Sequence, residues 1–211
     1  MINLSKPNVW LNPYSITKDS VEKFCFMYVN EFDAKIAIVK MFNVYGPRQA
    51  YADVKKAIPA WITNALKGQP VEIFGEGNST MDLIFIRDVV DAMIVLVDQF
   101  DKCRIQRHSD AARNVYSNFA AYNEHILELG SGREITVNSA VKELEKALGF
   151  TVNVHHSLMR SGEVDGTRLC ADISRLSALT GFRPQVPLNQ GLKETIEYYK
   201  GHLDRRPAGD D

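Results

Sequence analysis

The run KIAIVKMFNVYGPR, residues 35–48, carries the strongest fold signal in this chain of 211 residues. Its first eight residues include only two charges, Lys35 and Lys40. Short, nearly continuous apolar runs are typical of parallel strands, because helices cover both faces of a parallel sheet. Gly46 and Pro47 then end the run. We therefore predict a buried parallel strand over residues 35–42.

The segment before this strand predicts a helix over residues 14–32. Asn12 and Pro13 stand at its start, as residues that open helices do. Apolar residues recur at helical spacing, namely Tyr14, Val21, Phe24, Cys25, Tyr28, Val29 and Phe32. Phe26 and Met27 are also apolar but lie off this stripe, so we expect the helix to be covered on more than one side.

Helices and strands alternate through the rest of the chain, which predicts the α/β class. Apolar patterns predict strands over residues 71–74, 83–86, 126–129 and 151–155. Helices are expected over 54–67, 88–100, 137–148, 173–180 and 189–200, and Pro59 suggests a kink or a later start in the first of these. Residues 101–124 are polar and aperiodic and predict a long loop, and 204–211 predict a disordered tail.

Composition excludes several classes of function. The formal net charge of −1 gives no support for a nucleic-acid-binding surface. No apolar run reaches the roughly 18 residues that a membrane span needs. Three widely spaced cysteines favour a reducing compartment, so we expect a cytoplasmic protein. His155 and His156 would point to opposite faces of a strand without a carboxylate or thiol cluster, so no metal site is predicted.

Tyr14 and Lys18 are four residues apart, so their side chains share one face of the predicted helix. A phenol with an ordinary pKa near 10 is a poor base at neutral pH, and a nearby ammonium favours the phenolate. Such a pair can move a proton to or from a sugar hydroxyl. The spacing alone is weak evidence, because an amphipathic helix with a surface lysine has the same pattern.

Two longer motifs decide between these readings. NPYSITK at residues 12–18 and MFNVYGPR at residues 41–48 resemble the extended short-chain dehydrogenase/reductase family, the NAD-dependent nucleotide-sugar epimerases and dehydratases. The segments ALKGQPVEIFGEG (65–77), DLIFIRDV (82–89), LGSG (129–132) and 171–192 are similar to later family segments. The resemblance covers nearly the whole chain, and it implies the terminal part of a Rossmann-like parallel sheet plus the small C-terminal substrate-binding lobe.

The resemblance also implies roles for individual residues. Tyr14 would be the catalytic acid/base, and Lys18 would tune it and hold the cofactor ribose. Asn43 would bind the substrate diphosphate region. Phe74 and the backbone around Val71 and Glu72 would flank the nucleotide base, and Arg160 would reach a phosphate oxygen. Three alternatives stay open: Asn43 could cap the turn into Gly46-Pro47, Phe74 could be plain core, and Arg160 could be a solvated charge.

This chain also departs from the family pattern. Met81 stands where the family usually has an arginine that pairs with the diphosphate, and losing that arginine should weaken binding. Lys40 likewise replaces a usual arginine. Only 13 residues precede Tyr14, where the family carries a whole dinucleotide-binding unit. We therefore expect a remnant of the Rossmann domain over 1–50 and the substrate-binding lobe over 51–203.

Two glycine pairs imitate a dinucleotide-binding turn, which needs a strand, a glycine-rich loop and a helix N-terminus. Gly75-x-Gly77 is followed by Thr80 and a strand. Gly130-Ser131-Gly132 lies between a strand and a helix, but Ile135 stands where the third glycine should be. Although NAD is the family's cofactor, this chain alone is not expected to bind it.

Three functions remain open at this point. The chain could be an epimerase/dehydratase-like portion that keeps nucleotide-sugar contacts without hydride chemistry. It could be a subunit or domain of an active split enzyme acting on a UDP- or dTDP-sugar. It could be an assembly or regulatory protein that uses the Tyr14 helix as an interface. We expect that helix and the strand at 35–42 to expose apolar surface, which demands a second copy or a separate N-terminal half.

Overall fold

The computed structural model describes residues 13–50, 56–106, 125–160 and 163–203. Its helices are α1 (Pro13–Phe32), α2 (Ala57–Leu66), α3 (Ile86–Asp98), α4 (Phe100–Cys103), α5 (Val137–Leu148), α6 (Ser174–Thr180) and α7 (Leu188–Leu203). Its strands are β1 (Ile38–Met41), β2 (Asn43–Tyr45), β3 (Val71–Phe74), β4 (Thr80–Met81), β5 (Leu83–Phe85), β6 (Ile126–Leu129), β7 (Ile135–Thr136) and β8 (Val154–Ser157). The α/β class is confirmed. The tail at 204–211 and most of the loop at 101–124 lie outside the described residues.

The strand predicted over residues 35–42 is β1, Ile38–Met41, and a second short strand with a different partner, β2, follows it. β1 pairs in parallel with β6, whereas β2 pairs in parallel with β5. The chain changes partner at Phe42, where the Val44 N–H donates to the Phe42 carbonyl at 2.7 Å in a tight three-residue turn. The predicted strand also ends at Phe42, but β2 was not predicted, because three residues are too few to show a strand pattern.

Other element boundaries shift by a few residues. The helix predicted from residue 54 begins at Ala57, so Pro59 lies in its first turn, where proline is tolerated. The helix predicted from residue 88 begins at Ile86, and the strand predicted over 151–155 is Val154–Ser157. The helix that ends at Gly149 is confirmed, with a Thr136 cap and a left-handed glycine.

The β1–β6 pair is covered on both faces. Ile38 and Ile126 point toward α1, where Phe26 and Val29 are buried against them. The next residues of each strand, Val39 and Leu127, point to the other face and pack with α3 and α6. This three-layer arrangement joins residues that lie before and after residue 50 in the chain.

A second, larger core lies in the part of the chain that contains α2, α5 and α7. Ile62, Val71, Leu144 and Leu192 are completely buried there. The parallel β3–β8 pair forms one side of this unit, and the antiparallel β4–β7 pair adjoins it. Met81 of β4 is half-buried and packs against this core, opposite Ile135. This unit contains β3 and therefore Val71, Glu72 and Phe74, three of the candidate site residues.

Candidate functional site

Tyr14 and Lys18 lie together at the start of α1. The Lys18 ammonium is 5.5 Å from the centroid of the Tyr14 ring, and Tyr14 is 70% exposed. Pro13 opens the helix, and the Thr17 hydroxyl donates to the Tyr14 carbonyl at 2.8 Å. The pair therefore has the proximity that the sequence predicted, on a surface that a substrate can reach.

An ion pair shows which part of α1 lies beside which part of β1. The Lys40 ammonium lies 3.0 Å from the Glu22 carboxylate. Tyr14 is roughly 12 Å toward the helix start from Glu22, at 1.5 Å per residue. Asn43 is about 10 Å beyond Lys40 along the strand direction. Because helix and strand run in opposite directions, Tyr14 and Asn43 lie at the same end of the β1–β6 pair, beyond the carboxyl ends of its strands.

The Asn43 side chain is exposed at that end. Its backbone N–H donates to the Asp82 carbonyl at 3.0 Å, which fixes the start of β2. The turn that follows is braced by a different residue, because the Gln49 amide donates to the Val44 carbonyl at 3.0 Å. The Asn43 amide is therefore accessible to solvent, and it makes no hydrogen bond to the described part of the chain.

Tyr45, the second tyrosine of this motif, is a core residue and no candidate for proton transfer. Only 2% of it is exposed, and its hydroxyl donates to the Leu188 carbonyl at 3.3 Å. Burial, together with the negative charges of Asp88 and Glu194, raises the pKa of the Tyr45 phenol far above its usual value. Tyr14 is exposed, so the two tyrosines lie in different environments and only Tyr14 remains a candidate.

The other candidate residues, Val71, Glu72, Phe74 and Arg160, lie in or next to β3. The Arg160 guanidinium stacks over the Phe74 ring at 4.6 Å and pairs with Glu163 at 3.2 Å. Phe74 is half-buried rather than plain core. The two residues are 86 positions apart, so only the tertiary fold brings them together.

Val71 and Glu72 are held by the core behind this surface. Val71 is fully buried, so its side chain cannot contact a ligand. The Trp61 indole donates to the Glu72 carbonyl at 2.9 Å, and the Ser157 hydroxyl donates to the Glu72 carboxylate at 2.9 Å. No recorded contact among the described residues joins this group directly to Tyr14, Lys18 and Asn43.

The turn at Gly130-Ser131-Gly132 is occupied by a carboxylate of the chain itself. Asp82 is completely buried and accepts hydrogen bonds from the Ser131 N–H (2.6 Å), the Ser131 hydroxyl (2.6 Å) and the Gly132 N–H (3.0 Å). It also accepts from the Ala171 N–H at 3.0 Å. The backbone N–H groups that would bind a phosphate in a dinucleotide-binding turn donate instead to Asp82. The turn therefore does not fit a dinucleotide.

Sequence reasoning missed two buried carboxylates with structural roles. Asp82 is one, and the other is Asp88 at the start of α3, which accepts from the N–H groups of Gln185 and Val186 at 2.9 and 3.0 Å. The signal available was an aspartate inside or next to an apolar run, because buried charges persist only where donors satisfy them. Asp82 ties Gly132 and Ala171 to the segment between β4 and β5, whereas Asp88 ties residues 185–186 to the start of α3.

A charged clamp holds the segment after Glu163 against β4. Arg168 forms two hydrogen bonds to the Glu134 carboxylate, one of them at 2.7 Å. The Thr80 hydroxyl donates to the same carboxylate at 2.6 Å, and together these bonds lower the pKa of Glu134 to about 2. Met81, the neighbour of Thr80, gives this position an apolar side chain.

In the described ranges, no three histidine, cysteine or acidic side chains are close enough together to hold a metal ion. His155 and His156 are both exposed, and His156 Nδ1 lies 2.8 Å from the Gly75 carbonyl. Across the same residues, no helix is long and apolar enough to cross a membrane.

Comparison with known proteins identifies the family. Residues 4–111 match the profile of the NAD dependent epimerase/dehydratase family, which is more than half of the chain. The chain belongs to the NAD-dependent epimerase/dehydratase family. A UDP-glucuronate 4-epimerase of Thermodesulfobacterium geofontis is 25% identical over 195 residues, which are 92% of this chain and 52% of that protein.

Solved structures of the family have the same fold. The UDP-glucuronic acid 4-epimerase of Bacillus cereus, in complex with UDP-glucuronic acid and NAD, is 26% identical with a TM-score of 0.74. It aligns with 95% of this chain and 56% of its own. The UDP-glucose 4-epimerase of Thermotoga maritima, with UDP-glucose, is 26% identical with a TM-score of 0.72, covering 94% of this chain and 60% of that one. This chain spans about half the length of the curated relatives it matches.

Proposed function

We propose that this chain is the nucleotide-sugar-binding portion of an NAD-dependent epimerase/dehydratase. In this proposal Phe74 and the backbone at Val71 and Glu72 flank the base, Arg160 holds a phosphate oxygen, and Asn43 binds the diphosphate region. The observation that carries it is the Arg160–Phe74 contact at 4.6 Å, which places a guanidinium beside an aromatic face. A nucleotide diphosphate presents the matching pair of groups, a flat base and anionic oxygens.

The binding site is expected to be weaker than in relatives that carry a second arginine. Met81 packs against the core and offers no charge to the diphosphate. Charge-assisted hydrogen bonds contribute roughly 1.5–3 kcal/mol each, so losing one weakens binding by about 10-fold to 150-fold. Restoring the charge with Met81→Arg should therefore tighten binding of a UDP-sugar.

Calorimetric titration of the chain with UDP-glucuronic acid, UDP-glucose and NAD tests the proposal. We expect both UDP-sugars to bind and NAD not to bind. Arg160→Ala should weaken UDP-sugar binding by about 10-fold or more. Arg175→Ala, at an exposed arginine of α6, is the matched control and should leave the affinity unchanged. Equal losses in both variants, or no UDP-sugar binding at all, would contradict the proposal.

A second candidate function is supported by the Tyr14–Lys18 pair. The Lys18 ammonium lies 5.5 Å from the centroid of the Tyr14 ring and both residues are exposed, so a sugar hydroxyl could reach the phenol beside a cation. In this version the chain is part of an active enzyme, and a separate dinucleotide-binding unit supplies NAD. Activity that appears only after such a unit is added, and that Tyr14→Phe abolishes, would distinguish it from the purely binding role.

A further inference from the structure

An open cavity of about 510 Å³ lies between the turn that follows β6 and helix α6. Its walls come from residues 131–133, 171–174 and 177–178, together with Arg183. None of the residues assigned to the nucleotide-sugar or to proton transfer lines it. Sites for small molecules usually have volumes of about 300–1,000 Å³, so this cavity is large enough for a ligand of its own.

Two arginines give the cavity positive charge. Arg133 and Arg183 are both exposed, and within the described ranges neither forms an ion pair with a carboxylate. The Arg183 guanidinium donates to the Phe182 carbonyl at 2.8 Å, which orients it and leaves its other N–H groups for a ligand. A guanidinium binds phosphate oxygens through two parallel hydrogen bonds. This pair of side chains therefore supplies an anion-binding wall.

One carboxylate lines the same cavity. Asp172 is exposed, and its Oδ1 accepts from the Ser174 N–H at 3.0 Å, so the start of α6 offers no free N–H at that position. Hydrogen bonds from the hydroxyl and the N–H of Ser174 lower the pKa of the Asp172 carboxyl, which is therefore ionised at neutral pH. Asp172 forms no ion pair with either arginine across the described residues. The cavity thus holds charges of both signs that do not neutralise each other by direct contact.

Ser177 adds a buried hydroxyl to the cavity wall. The residue is 5% exposed, and its Oγ has no hydrogen-bond partner in the part of the chain that the structure describes. Ser174, Ser177 and Ala178 are three and four residues apart, so they share the face of α6 that lines the cavity. A buried hydroxyl without a partner costs free energy. A ligand oxygen that reaches this wall would recover that free energy.

We propose that this cavity binds a small phosphate ester that carries free hydroxyl groups, such as a sugar phosphate. Arg133 and Arg183 hold the phosphate, and Asp172 accepts hydrogen bonds from the hydroxyl groups of the ester. Inorganic phosphate satisfies the arginines but is repelled by the carboxylate, whereas a neutral sugar leaves both arginines unpaired. The site shares no residue with the proposed nucleotide-sugar site, so the two proposals are independent.

The test is a titration of the ¹⁵N-labelled full chain with glucose 6-phosphate, followed by amide chemical shifts. We expect saturable shifts at Gly132, Arg133 and Ala178, and none at Phe74 and Arg160. Glucose 6-phosphate should bind about 10-fold or more tightly than inorganic phosphate, and glucose should give no saturable shift. Absence of saturable shifts, shifts centred on Phe74 and Arg160, or equal affinity for inorganic phosphate would each overturn the proposal.

Matched variants assign the charges. Arg133→Ala and Arg183→Ala should each weaken glucose 6-phosphate binding about 10-fold or more, because each removes charge-assisted hydrogen bonds. Arg175→Ala removes an exposed arginine of α6 that does not line the cavity and should change binding less than about twofold. Equal losses in all three variants would mean that only the overall charge matters and would overturn the proposal.

Two further variants separate ligand contacts from folding. Asp172→Asn should abolish the preference for glucose 6-phosphate over inorganic phosphate, because the amide neither repels phosphate nor accepts as strongly from hydroxyl groups. Ser177→Ala should leave the urea midpoint unchanged while it weakens glucose 6-phosphate binding, since it removes a hydroxyl that has no partner in the fold. A preference that survives Asp172→Asn contradicts the proposal. Calorimetry with UDP-glucose reports separately on the proposed function, and Arg183→Ala should leave that affinity unchanged.

Discussion

The two halves of this molecule differ in how completely they cover their apolar residues. Around α2, α5 and α7, the core is closed, and Ile62, Leu144 and Leu192 have no exposed surface. Around the β1–β6 pair, the strands are covered but the helices are not, so that Phe32 is 68% and Val97 is 66% exposed. In the first half, the chain itself covers the apolar side chains of the core. In the second half, large apolar side chains remain exposed that the described residues do not cover.

This difference separates the roles of the two candidate clusters. Phe74 and Arg160 stand on the closed unit and are positioned by contacts within the chain. Tyr14 and Lys18 stand on the helix whose remaining apolar surface is exposed, and the Glu22–Lys40 pair and the buried residues Phe26 and Val29 hold this helix against the sheet. A binding role for the first cluster therefore depends on this chain alone, whereas proton transfer by the second depends on what covers α1.

The largest expected effect tests the link between the halves. Asp82→Ala removes a buried carboxylate that accepts four hydrogen bonds and leaves its donors unsatisfied. We expect it to lower the free energy of unfolding by about 4 kcal/mol or more, measured by urea denaturation. Asp101→Ala, whose side chain is 85% exposed, is the control and should cost less than about 0.5 kcal/mol.

The same substitution in each half tests the comparison directly. Ile62→Ala, in the closed core, should lower the free energy of unfolding by about 2–5 kcal/mol through lost burial and the cavity left behind. Ile94→Ala, at a residue that is 56% exposed on α3, should change it by less than about 0.5 kcal/mol. Similar losses in the isolated chain would mean that α3 is already covered, and the contrast drawn between the two halves would be wrong.

The smallest expected effect is on the stability of the fold at low pH. The pKa of Glu134 falls from its ordinary 4.5 to about 2 in the folded protein. The stabilisation by Arg168 is therefore fully present above about pH 4.5 and is lost as the pH falls through about 2. Glu134→Gln should flatten the dependence of unfolding free energy on pH in that range. Glu143→Gln, which disrupts an exposed pair with Lys146, should keep the parent's pH dependence.

Much of the local structure could be predicted from the sequence. The α1 helix, the strand at Val71–Phe74, the strand at Ile126–Leu129 and the helix that ends at Gly149 all follow from spacing, turn residues and caps. The short strand β2 could not be predicted, because three residues show no clear period and its pairing with β5 depends on the tertiary fold. The Tyr14–Lys18 proximity could be predicted, because both residues lie on one helix.

Sequence by itself determined the family and the residue types available for chemistry, since motifs such as NPYSITK and MFNVYGPR are local and each helix or strand imposes its own periodicity. Only the tertiary structure decided which distant residues meet. It placed Arg160 on Phe74, and it put the Asp82 carboxylate into the turn that imitates a phosphate cradle. It also decided which apolar residues remain uncovered, because burial depends on the packing of elements that lie far apart in the chain.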